Sequence, residues 1–303
     1  MNNYILTFEK IEKTNLIAGV GTAGNIWIVL NALYSQNNHL DSRLFVDMEK
    51  NKTINSESYK IFDTMNSWEY YFEQIDRPIL NFIQLDSVKI DSVLHYEKRY
   101  THSSRVSLKL KKLFWDNFSL RPEIKFEIDD FLKENFQNKI TLGAQIRLTD
   151  MTNTPNHNVK KFEDYVIKIK SILSKDPKIQ QVFLATDDET VIEKLRESIN
   201  IPVIFQKNIY RATNHKKDLN PYDRYEYSRP DHRYLLGKEV IIDIFLLSNC
   251  DFILKADVSC VSQLAVFFSQ KIKKTYFMRS NYELFQTFFK KILKRFGLYF
   301  VLQ

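Results

Sequence analysis

Buried strands alternate with amphipathic helices in the second half of the chain, and this order restricts the fold more than any other feature of the sequence. The strand-like runs are apolar and rich in β-branched residues: KITLGAQIRL, QQVFLAT, IPVIFQ and DFILKA. The segments between and after them carry helical spacing: KKFEDYVIKIKSIL, DDETVIEKLRESI, EVIIDIFLLSNC and VSCVSQLAVFFSQ. Because strands that alternate with helices form parallel sheets covered on both faces, the pattern predicts a Rossmann-like α/β domain over residues 136–270.

A glycine-rich segment near the start of the chain indicates a second α/β domain. NLIAGVGTAGN precedes the apolar run IWIVLNALY and the strand-like RLFVDM, which is a β–loop–α–β order. We therefore expect two Rossmann-like domains with a cleft between them, the first covering residues 1–135. The loop spells G-x-G-x-x-G and contains Gly19, Gly21, Gly24 and Asn25. A dinucleotide-binding loop and a tight turn that lets strand and helix pack closely both agree with this pattern.

The stretch between these two regions carries weaker patterns. WEYYFEQI (68–75) predicts a short helix, and NFIQL (81–85) predicts a strand. RVSLKLKKLFWDNF (105–118) is amphipathic, and its lysines are expected on the outer face. EIKFEIDDFLKENF (123–136) has apolar side chains at helical spacing and follows Pro122, a residue that the first turn of a helix tolerates.

The charge of the chain is concentrated at one end. The 303 residues carry a formal net charge of +7, and residues 271–303 account for all of it. The neutral body of residues 1–270 argues against a nucleic-acid partner, because such proteins spread basic residues over their folded surface. Two cysteines without metal-ligand spacing argue against a disulfide framework and a zinc site. No apolar run reaches the roughly 18 residues of a spanning helix, and MNNYILTFEK lacks a signal-peptide pattern, so a cytoplasmic location is expected.

Polar side chains follow the strands of the second domain, where open α/β sheets bind their ligands. Arg147 and Asp150 follow the first strand, Asp187 and Asp188 follow the second, and Ser259 follows the last. An arginine offers a planar fork of donors to phosphate, and Ser259 with the first N–H groups of its helix offers an anion cradle. Together they predict a pyrophosphate clamp that needs no metal. The alternative for the two aspartates is that they only cap helices.

Asp243 is unusual because its neighbours in VIIDIFLL are all apolar. A buried carboxylate needs hydrogen-bond donors, since leaving it unpaired costs several kcal/mol. The N1–H and N2–H groups of a guanine would supply two parallel donors. A capping role or an arginine partner such as Arg233 would satisfy the carboxylate equally well, and the sequence leaves these alternatives open.

Three motifs resemble the fucosyltransferase superfamily in order and spacing: GAQIRLTD (143–150), VFLATDD (182–188) and EVIIDIFLLSNCDFILKADVSC (239–260). The similarity covers about residues 112–268 and is closest to the α-1,6-fucosyltransferases, both the nodulation type and the core fucosyltransferases. Protein O-fucosyltransferases and α-1,2-fucosyltransferases resemble the chain more distantly.

The resemblance implies a GT-B fold whose C-terminal domain holds the donor nucleotide and whose N-terminal domain lies on the acceptor side. It also implies inverting transfer of fucose from GDP-fucose to a glycan, without a divalent metal or other cofactor. The acceptor would be a bacterial surface glycan or its lipid-linked precursor. By the same resemblance, Arg147 would bind the β-phosphate, Asp243 the guanine and Ser259 the pyrophosphate. Asp187 and Asp188 would shape the site, and Tyr165 would lie beside the donor.

The chain departs from the family's pattern at four positions. Gln145 stands at the histidine, which still allows a hydrogen bond to guanine, and Leu148 stands at the second arginine. Met151 stands at a lysine, and the acidic residue proposed as base in the close relatives falls near Pro155. Asp150 is then the nearest carboxylate that could act as base. These departures favour two alternatives: a transferase that uses another GDP-sugar, or a non-catalytic relative that binds a GDP-sugar or glycan.

The basic tail, residues 271–303, contains a second amphipathic pattern. YELFQTFFKKILKRFGLYFVLQ (282–303) places aromatic and aliphatic side chains on one helical face with basic residues beside it. This arrangement is typical of a helix that lies in a membrane interface. The alternative is a terminal helix that packs its apolar face on the N-terminal domain.

We predict that anionic liposomes co-sediment the full chain more strongly than a variant that ends at residue 281. Each basic residue near an anionic surface contributes roughly 1 kcal/mol, so the difference should shrink as salt is added. Equal pelleting of the two proteins at low salt would contradict the membrane interpretation.

Overall fold

The computed structural model describes residues 3–7, 21–35, 43–49, 53–75, 82–86, 105–148, 160–212, 229–256 and 259–278. The strands are β1 (Asn3–Thr7), β2 (Arg43–Asp47), β3 (Phe72–Gln74), β4 (Phe82–Asp86), β5 (Phe118–Leu120), β6 (Thr141–Ile146), β7 (Gln181–Thr186), β8 (Val203–Ile204), β9 (Phe252–Lys255) and β10 (Lys274–Phe277). The helices are α1 (Gly21–Ser35), α2 (Arg105–Asn117), α3 (Pro122–Asn135), α4 (Phe162–Lys175), α5 (Thr190–Ser198), α6 (His232–Ser248) and α7 (Cys260–Phe268).

The second half of the chain forms a five-stranded parallel sheet in the order β10-β9-β6-β7-β8. From β6 the chain adds β7 and β8 on one side, then returns to add β9 and β10 on the other. The predicted alternation of strands and helices is therefore confirmed from β6 to α7. The reversal of strand order also leaves a crevice between the carboxyl ends of β6 and β9.

Helices cover both faces of this sheet, as its apolar strands require. α4 and α5 pack on one face, where Ile169 and Leu195 share an apolar cluster with Leu184 of β7. α6 and α7 pack on the other face, where Leu264 shares a second cluster with Phe183. Successive residues of β7 thus point to opposite faces, and both faces are buried.

The first part of the chain forms a three-stranded parallel sheet in the order β2-β1-β4. The helix and the strand predicted after the glycine-rich segment are confirmed as α1 and β2, and the strand predicted over 81–85 is confirmed as β4. Residues 8–20, which include the start of that segment, lie outside the described residues. α1 begins at Gly21, whose φ of 71° lies in the left-handed region that side chains disfavour. The buried Trp27 of α1 contacts Phe267 of α7, with ring centroids 5.9 Å apart. A single apolar cluster therefore continues from the N-terminal sheet into the second half.

The helix predicted over 68–75 is wrong. Residues 68–71 form a turn, and Phe72–Gln74 is β3, which pairs antiparallel with β5. The physical reason is burial on more than one side: Trp68, Tyr70 and Phe72 are all enclosed, and Trp68 stacks on Phe72 with centroids 4.5 Å apart. An amphipathic helix would have left one of its sides in water.

Two predictions about basic residues are wrong: the outward position of Lys111 and the start of the tail at residue 271. Lys111 of α2 does not lie on the outer face, because its side chain is buried and its Nζ donates to the Ser269 carbonyl at 2.8 Å. Residues 271–278, assigned from the sequence to the basic tail, belong to the sheet through β10. Lys273 there pairs with Asp251 at 2.8 Å, so part of the tail's charge is neutralised by the body. Residues 282–303 lie outside the described residues.

The N-terminus of α6 is capped by a carboxylate from the first half of the chain. Asp231 precedes α6 with a φ of 54°, and its side chain makes no capping hydrogen bond. Glu57 supplies the cap: its Oε1 accepts from the backbone N–H of Arg233 at 2.8 Å and of Tyr234 at 3.0 Å. Glu57 is only 8% exposed, so this charge is held inside the contact, where it favours the helix dipole.

Close packing of an aromatic ring on α6 completes this junction. Tyr71 stacks on Tyr234, with centroids 5.9 Å apart, and donates its hydroxyl to the Tyr234 carbonyl at 3.1 Å. A Cβ added to Gly237 would lie 2.0 Å from the Tyr71 hydroxyl and 2.7 Å from Thr22 Oγ1 of α1. The absence of a side chain at this position therefore lets α6 approach both neighbours.

Within the described residues, no helix has both the length and the apolar character needed to cross a membrane.

We predict that Glu57→Ala lowers the free energy of unfolding by about 2 kcal/mol, measured by urea denaturation. The substitution removes the cap of α6 and leaves the buried N–H of Tyr234 without its acceptor. The control is Glu197→Ala, which truncates an exposed carboxylate on α5 and should change stability by less than about 0.5 kcal/mol. Equal effects of the two substitutions would contradict the role of Glu57 as a cap.

Candidate nucleotide-binding site at the sheet crevice

The carboxyl ends of β6 and β9 mark the point where the strand order of the larger sheet reverses. Open α/β sheets bind ligands in the crevice at such a point, because the loops on either side diverge there. Arg147 follows β6, and Ser259 follows β9 at the start of α7. The two residues that the sequence assigned to a pyrophosphate thus flank the crevice.

Arg147 pairs with Asp187 across neighbouring strands. Its Nε lies 3.5 Å from Asp187 Oδ2, and the arginine side chain remains 36% exposed. Asp187 Oδ1 also accepts from the backbone N–H of Leu148 at 3.3 Å. The carboxylate therefore orients the guanidinium at the mouth of the crevice and is more than a helix cap.

Two backbone N–H groups at the N-terminus of α7 donate hydrogen bonds to side-chain oxygens. Ser259 Oγ accepts from the N–H of Val261 at 3.2 Å, and Gln145 Oε1 accepts from the N–H of Ser262 at 3.1 Å. Two N–H groups at the start of α7 therefore already donate to side chains, so fewer of them can serve the predicted anion cradle. The Gln145 side-chain oxygen is one of the two acceptors. Burial raises the pKa of the Cys260 thiol to about 11, and the positive charge of Arg147 opposes this shift. Arg147 thus lies within electrostatic range of the start of α7.

Asp188 stabilises the turn that leads into α5. Its Oδ1 accepts from the Thr190 N–H at 2.9 Å and from the Thr190 hydroxyl at 2.7 Å. The N-cap residue of α5 is Glu189, which makes no side-chain capping hydrogen bond. The two adjacent aspartates therefore divide their functions: Asp188 shapes the loop, whereas Asp187 faces Arg147.

Asp243 is half-buried on α6, and its partner is Gln206 rather than Arg233. Gln206 Nε2 donates to Asp243 Oδ1 at 2.5 Å, whereas Arg233 Nη1 donates to the carbonyl of Ile54 at 3.1 Å. Burial raises the pKa of Asp243 to about 7, and the Gln206 hydrogen bond opposes the shift. The negative charge of Asp187 contributes to the rise, so both carboxylates belong to one electrostatic site.

Sequence reasoning missed the residues that surround Asp243. Arg211 Nη2 donates to the Gln206 carbonyl at 2.6 Å, and Arg229 holds the buried Glu239 through two contacts of 2.7 and 3.1 Å. Burial raises the pKa of Glu239, and the hydrogen bond from Arg229 opposes that rise. Gln206 follows β8, so the strand-end rule that selected Arg147 would have identified it if applied to the third strand.

The remaining predicted residues are distributed as follows. Tyr165 lies in the apolar cluster below α4 and is 4% exposed. Gly24 and the buried Asn25 belong to the first turns of α1. Gly19 and Asp150 lie outside the described residues, as do Met151 and Pro155. Leu148, at the position of the family's second arginine, is buried in the same cluster as Tyr165.

Among the residues that the structure describes, no group of three or more His, Cys, Asp or Glu side chains is placed to hold a metal ion.

No protein-family model matches the chain, and no curated protein matches its sequence. Solved structures match most of its length. The α-1,6-fucosyltransferase NodZ soaked with GDP-fucose is 14% identical, with a TM-score of 0.51, over 88% of this chain and 93% of that chain. The selenomethionine form of fucosyltransferase NodZ from Bradyrhizobium is 14% identical, with a TM-score of 0.50, over 88% and 92%. POFUT1 in complex with GDP is 11% identical, with a TM-score of 0.47, over 92% and 98%.

These matches confirm the predicted fold, because the NodZ structures cover both halves of the chain in one alignment. The predicted resemblance to fucosyltransferases is thereby confirmed for the fold. The chain has the GT-B fold of the NodZ-type fucosyltransferases.

Proposed function

We propose that the protein transfers fucose from GDP-fucose to a glycan acceptor, with inversion and without a divalent metal. The observation that carries this proposal is that Arg147 forms an ion pair with Asp187, whose charge in turn acts on Asp243 of α6. These are three of the residues that the motifs assigned to a GDP-sugar. The fold shared with NodZ, which was solved after soaking with GDP-fucose, supports the same donor.

The leaving group explains why a cation belongs beside α7. As the bond between the anomeric carbon and the β-phosphate oxygen breaks, negative charge grows on the departing GDP. The Arg147 guanidinium and the positive end of the α7 dipole would stabilise that charge. The first turn of α7 contains no acidic residue to oppose this. Such preorganised positive charge replaces the role that a divalent metal has in other transferases.

The carboxylate of Asp243 would select guanine. In its ionised form it accepts hydrogen bonds from guanine N1–H and N2–H, two donors that uracil does not present in parallel. Gln206 already donates to Oδ1 and fixes the orientation of the carboxylate. The apolar surroundings that raise the pKa of Asp243 also strengthen any hydrogen bond that the ionised form makes.

The acceptor step requires a base. In our proposal a hydroxyl oxygen of the acceptor attacks the anomeric carbon, its proton passes to the base, and GDP leaves from the opposite face. Asp150 stays the proposed base. The acceptor is proposed to be a surface or lipid-linked glycan reached from the cytoplasm, with residues 282–303 contacting the membrane.

A second candidate is a protein that binds a different GDP-sugar, with or without transfer. The observation that favours it is the position of Leu148, which is packed in the core where the family has an arginine. The crevice would then have one cation fewer near the donor sugar. GDP recognition is common to both candidates, and turnover of GDP-fucose separates them.

We predict that GDP at about 100 times its Kd raises the melting temperature by roughly 5 °C, and that UDP does not. Addition of EDTA should leave both this shift and the turnover of GDP-fucose unchanged. Arg147→Ala should lower turnover at least about 100-fold, whereas the matched control Arg196→Ala, an exposed arginine on α5, should not. A UDP shift as large as the GDP shift would refute the donor assignment. GDP binding without turnover would favour the second candidate.

We also predict that GDP affinity depends on the ionisation of Asp243. Below the Asp243 pKa of about 7 the carboxyl must lose its proton before it accepts from guanine, so affinity should fall toward tenfold per pH unit. Above pH 7 it should level off. Isothermal titration calorimetry in buffers of different ionisation enthalpy measures the proton released.

The matched variant for this experiment is Asp243→Asn. It should bind GDP more weakly at pH 8 and should lose the part of the pH dependence that comes from the carboxyl. The phosphate of GDP titrates identically with both proteins, so their difference isolates Asp243. Inosine diphosphate, which lacks the N2 amino group, should bind the unaltered protein more weakly than GDP. Identical pH profiles for the two proteins would exclude Asp243 as the guanine ligand.

A further inference from the structure

A pocket of about 320 Å³ lies beside the edge of the N-terminal sheet, away from the residues assigned to the donor. Its lining combines aromatic, acidic and basic side chains, chiefly Phe45, Phe62, Glu69, Glu73, Ile75 and Arg121. The volume falls within the range of about 300–1,000 Å³ that small-molecule sites occupy. None of these residues is part of the motifs that predicted the donor site.

Phe62, an aromatic residue of the pocket lining, lies in a turn with a strained backbone. Ile61 and Thr64 exchange two backbone hydrogen bonds of 3.1 Å, and the two residues between them have φ values of 50° (Phe62) and 64° (Asp63). Turns of this kind favour asparagine and glycine, and a phenylalanine there is an outlier. Such strain persists only where the surroundings enforce it, and it concentrates at ligand sites.

Phe62 has two contacts within the protein but remains partly exposed. The Arg121 guanidinium lies 3.9 Å from the ring centroid on one side, and the ring contacts Tyr234 edge-on at 5.7 Å. The side chain is nevertheless 42% exposed. The turn therefore holds a large apolar surface toward solvent at the pocket, although an asparagine would fit its backbone better.

The acidic groups differ in how fully they are bonded. Glu69 accepts from the Thr64 hydroxyl at 2.7 Å and from Gln74 Nε2 at 2.7 Å, so its carboxylate is fixed in the wall. Glu73 is exposed, and Ser119 donates to its Oε2 at 3.1 Å. Its Oε1 accepts no hydrogen bond from the described residues. Glu73 thus has acceptor capacity left for a ligand.

A neutral sugar ring fits this combination. The C–H groups on one face of a pyranose are weakly positive and pack on the negative face of an aromatic ring. Its hydroxyls donate to carboxylate oxygens, which need donors at their remaining lone pairs. The negative charges of Glu69 and Glu73 disfavour an acidic sugar or a phosphate. The Arg121 guanidinium is already engaged by the Phe62 ring, by the Glu69 carbonyl at 3.4 Å and by Glu123 at 3.5 Å.

We propose that this pocket binds a neutral sugar ring of the acceptor glycan, stacked on Phe62 and hydrogen-bonded to Glu73. The assignment to the acceptor rests on the proposed transferase function, whereas sugar binding itself does not. Phe62 touches Tyr234 of α6, the helix that also carries Asp243, so the pocket adjoins the same helix as the donor site.

Saturation-transfer difference NMR on the full chain tests this proposal with the methyl glycosides of glucose, galactose, mannose and N-acetylglucosamine, and with methyl glucuronide as the acidic probe. At least one neutral glycoside should receive saturation mainly at the C–H groups of one face, and the glucuronide should receive none. Phe62→Asn should abolish the signal. Its melting temperature should not fall, because asparagine tolerates the left-handed backbone.

The control Phe126→Asn, which removes a more exposed phenylalanine on α3, should keep the signal. Glu73→Gln keeps the shape of the side chain and should weaken binding about tenfold, which tests the pocket even if Phe62→Asn is unstable. No binding of any neutral glycoside, or equal binding by the protein and both pocket variants, would overturn the proposal. GDP thermal shifts measured on the same proteins should be unchanged by Phe62→Asn, so a failure of the donor assignment is seen separately.

Discussion

The contact between Glu57 and the first turn of α6 is the interaction on which the arrangement of both halves depends. A helix begins with N–H groups that need acceptors, and Asp231 does not provide one for α6. The carboxylate that does so comes from the first half of the chain. Tyr71 packs beside it because Gly237 has no side chain. α6 is thereby held against both sheets, and the groups that it carries, Asp243 among them, are placed relative to the N-terminal pocket as well as to the crevice.

The charged groups near the crevice differ in how deeply they are buried and in the partners that they contact. Arg147 is partly exposed and forms an ion pair with Asp187 at 3.5 Å. Asp243 is half-buried with an amide as its hydrogen-bond partner, and burial raises the pKa of its carboxyl to about 7. In the proposed function, a phosphate would bring a negative charge to Arg147, and a base with two N–H groups would bring hydrogen-bond donors to Asp243. A nucleoside diphosphate carries both groups in one molecule.

The large sheet was predictable because its strands and helices alternate in a pattern that one topology satisfies. The position of Arg147, Asp187 and Ser259 at one edge of the sheet could be predicted because the carboxyl ends of parallel strands share that edge. The partner of Asp243 could not, since Gln206 lies 37 residues away and only the folded loop brings it to 2.5 Å. Local periodicity also misassigned residues 68–75, where burial of three aromatic rings by distant segments overrides helical spacing. β10 was not predicted from the sequence, because its four residues form a strand by pairing with β9 and carry no local pattern of their own.

Gln145 shows how a departure from the family's motif can be accommodated. Its side-chain oxygen binds the Ser262 N–H, so it links the end of β6 to the first turn of α7. The Gln145 side chain therefore contributes to the start of α7. With Ser259 accepting from Val261, two N–H groups of that turn are already satisfied, and the helix contributes its dipole more than its free donors. In the proposed function Arg147 is then the main partner of the phosphate, and its contact with Asp187 sets the position of the guanidinium.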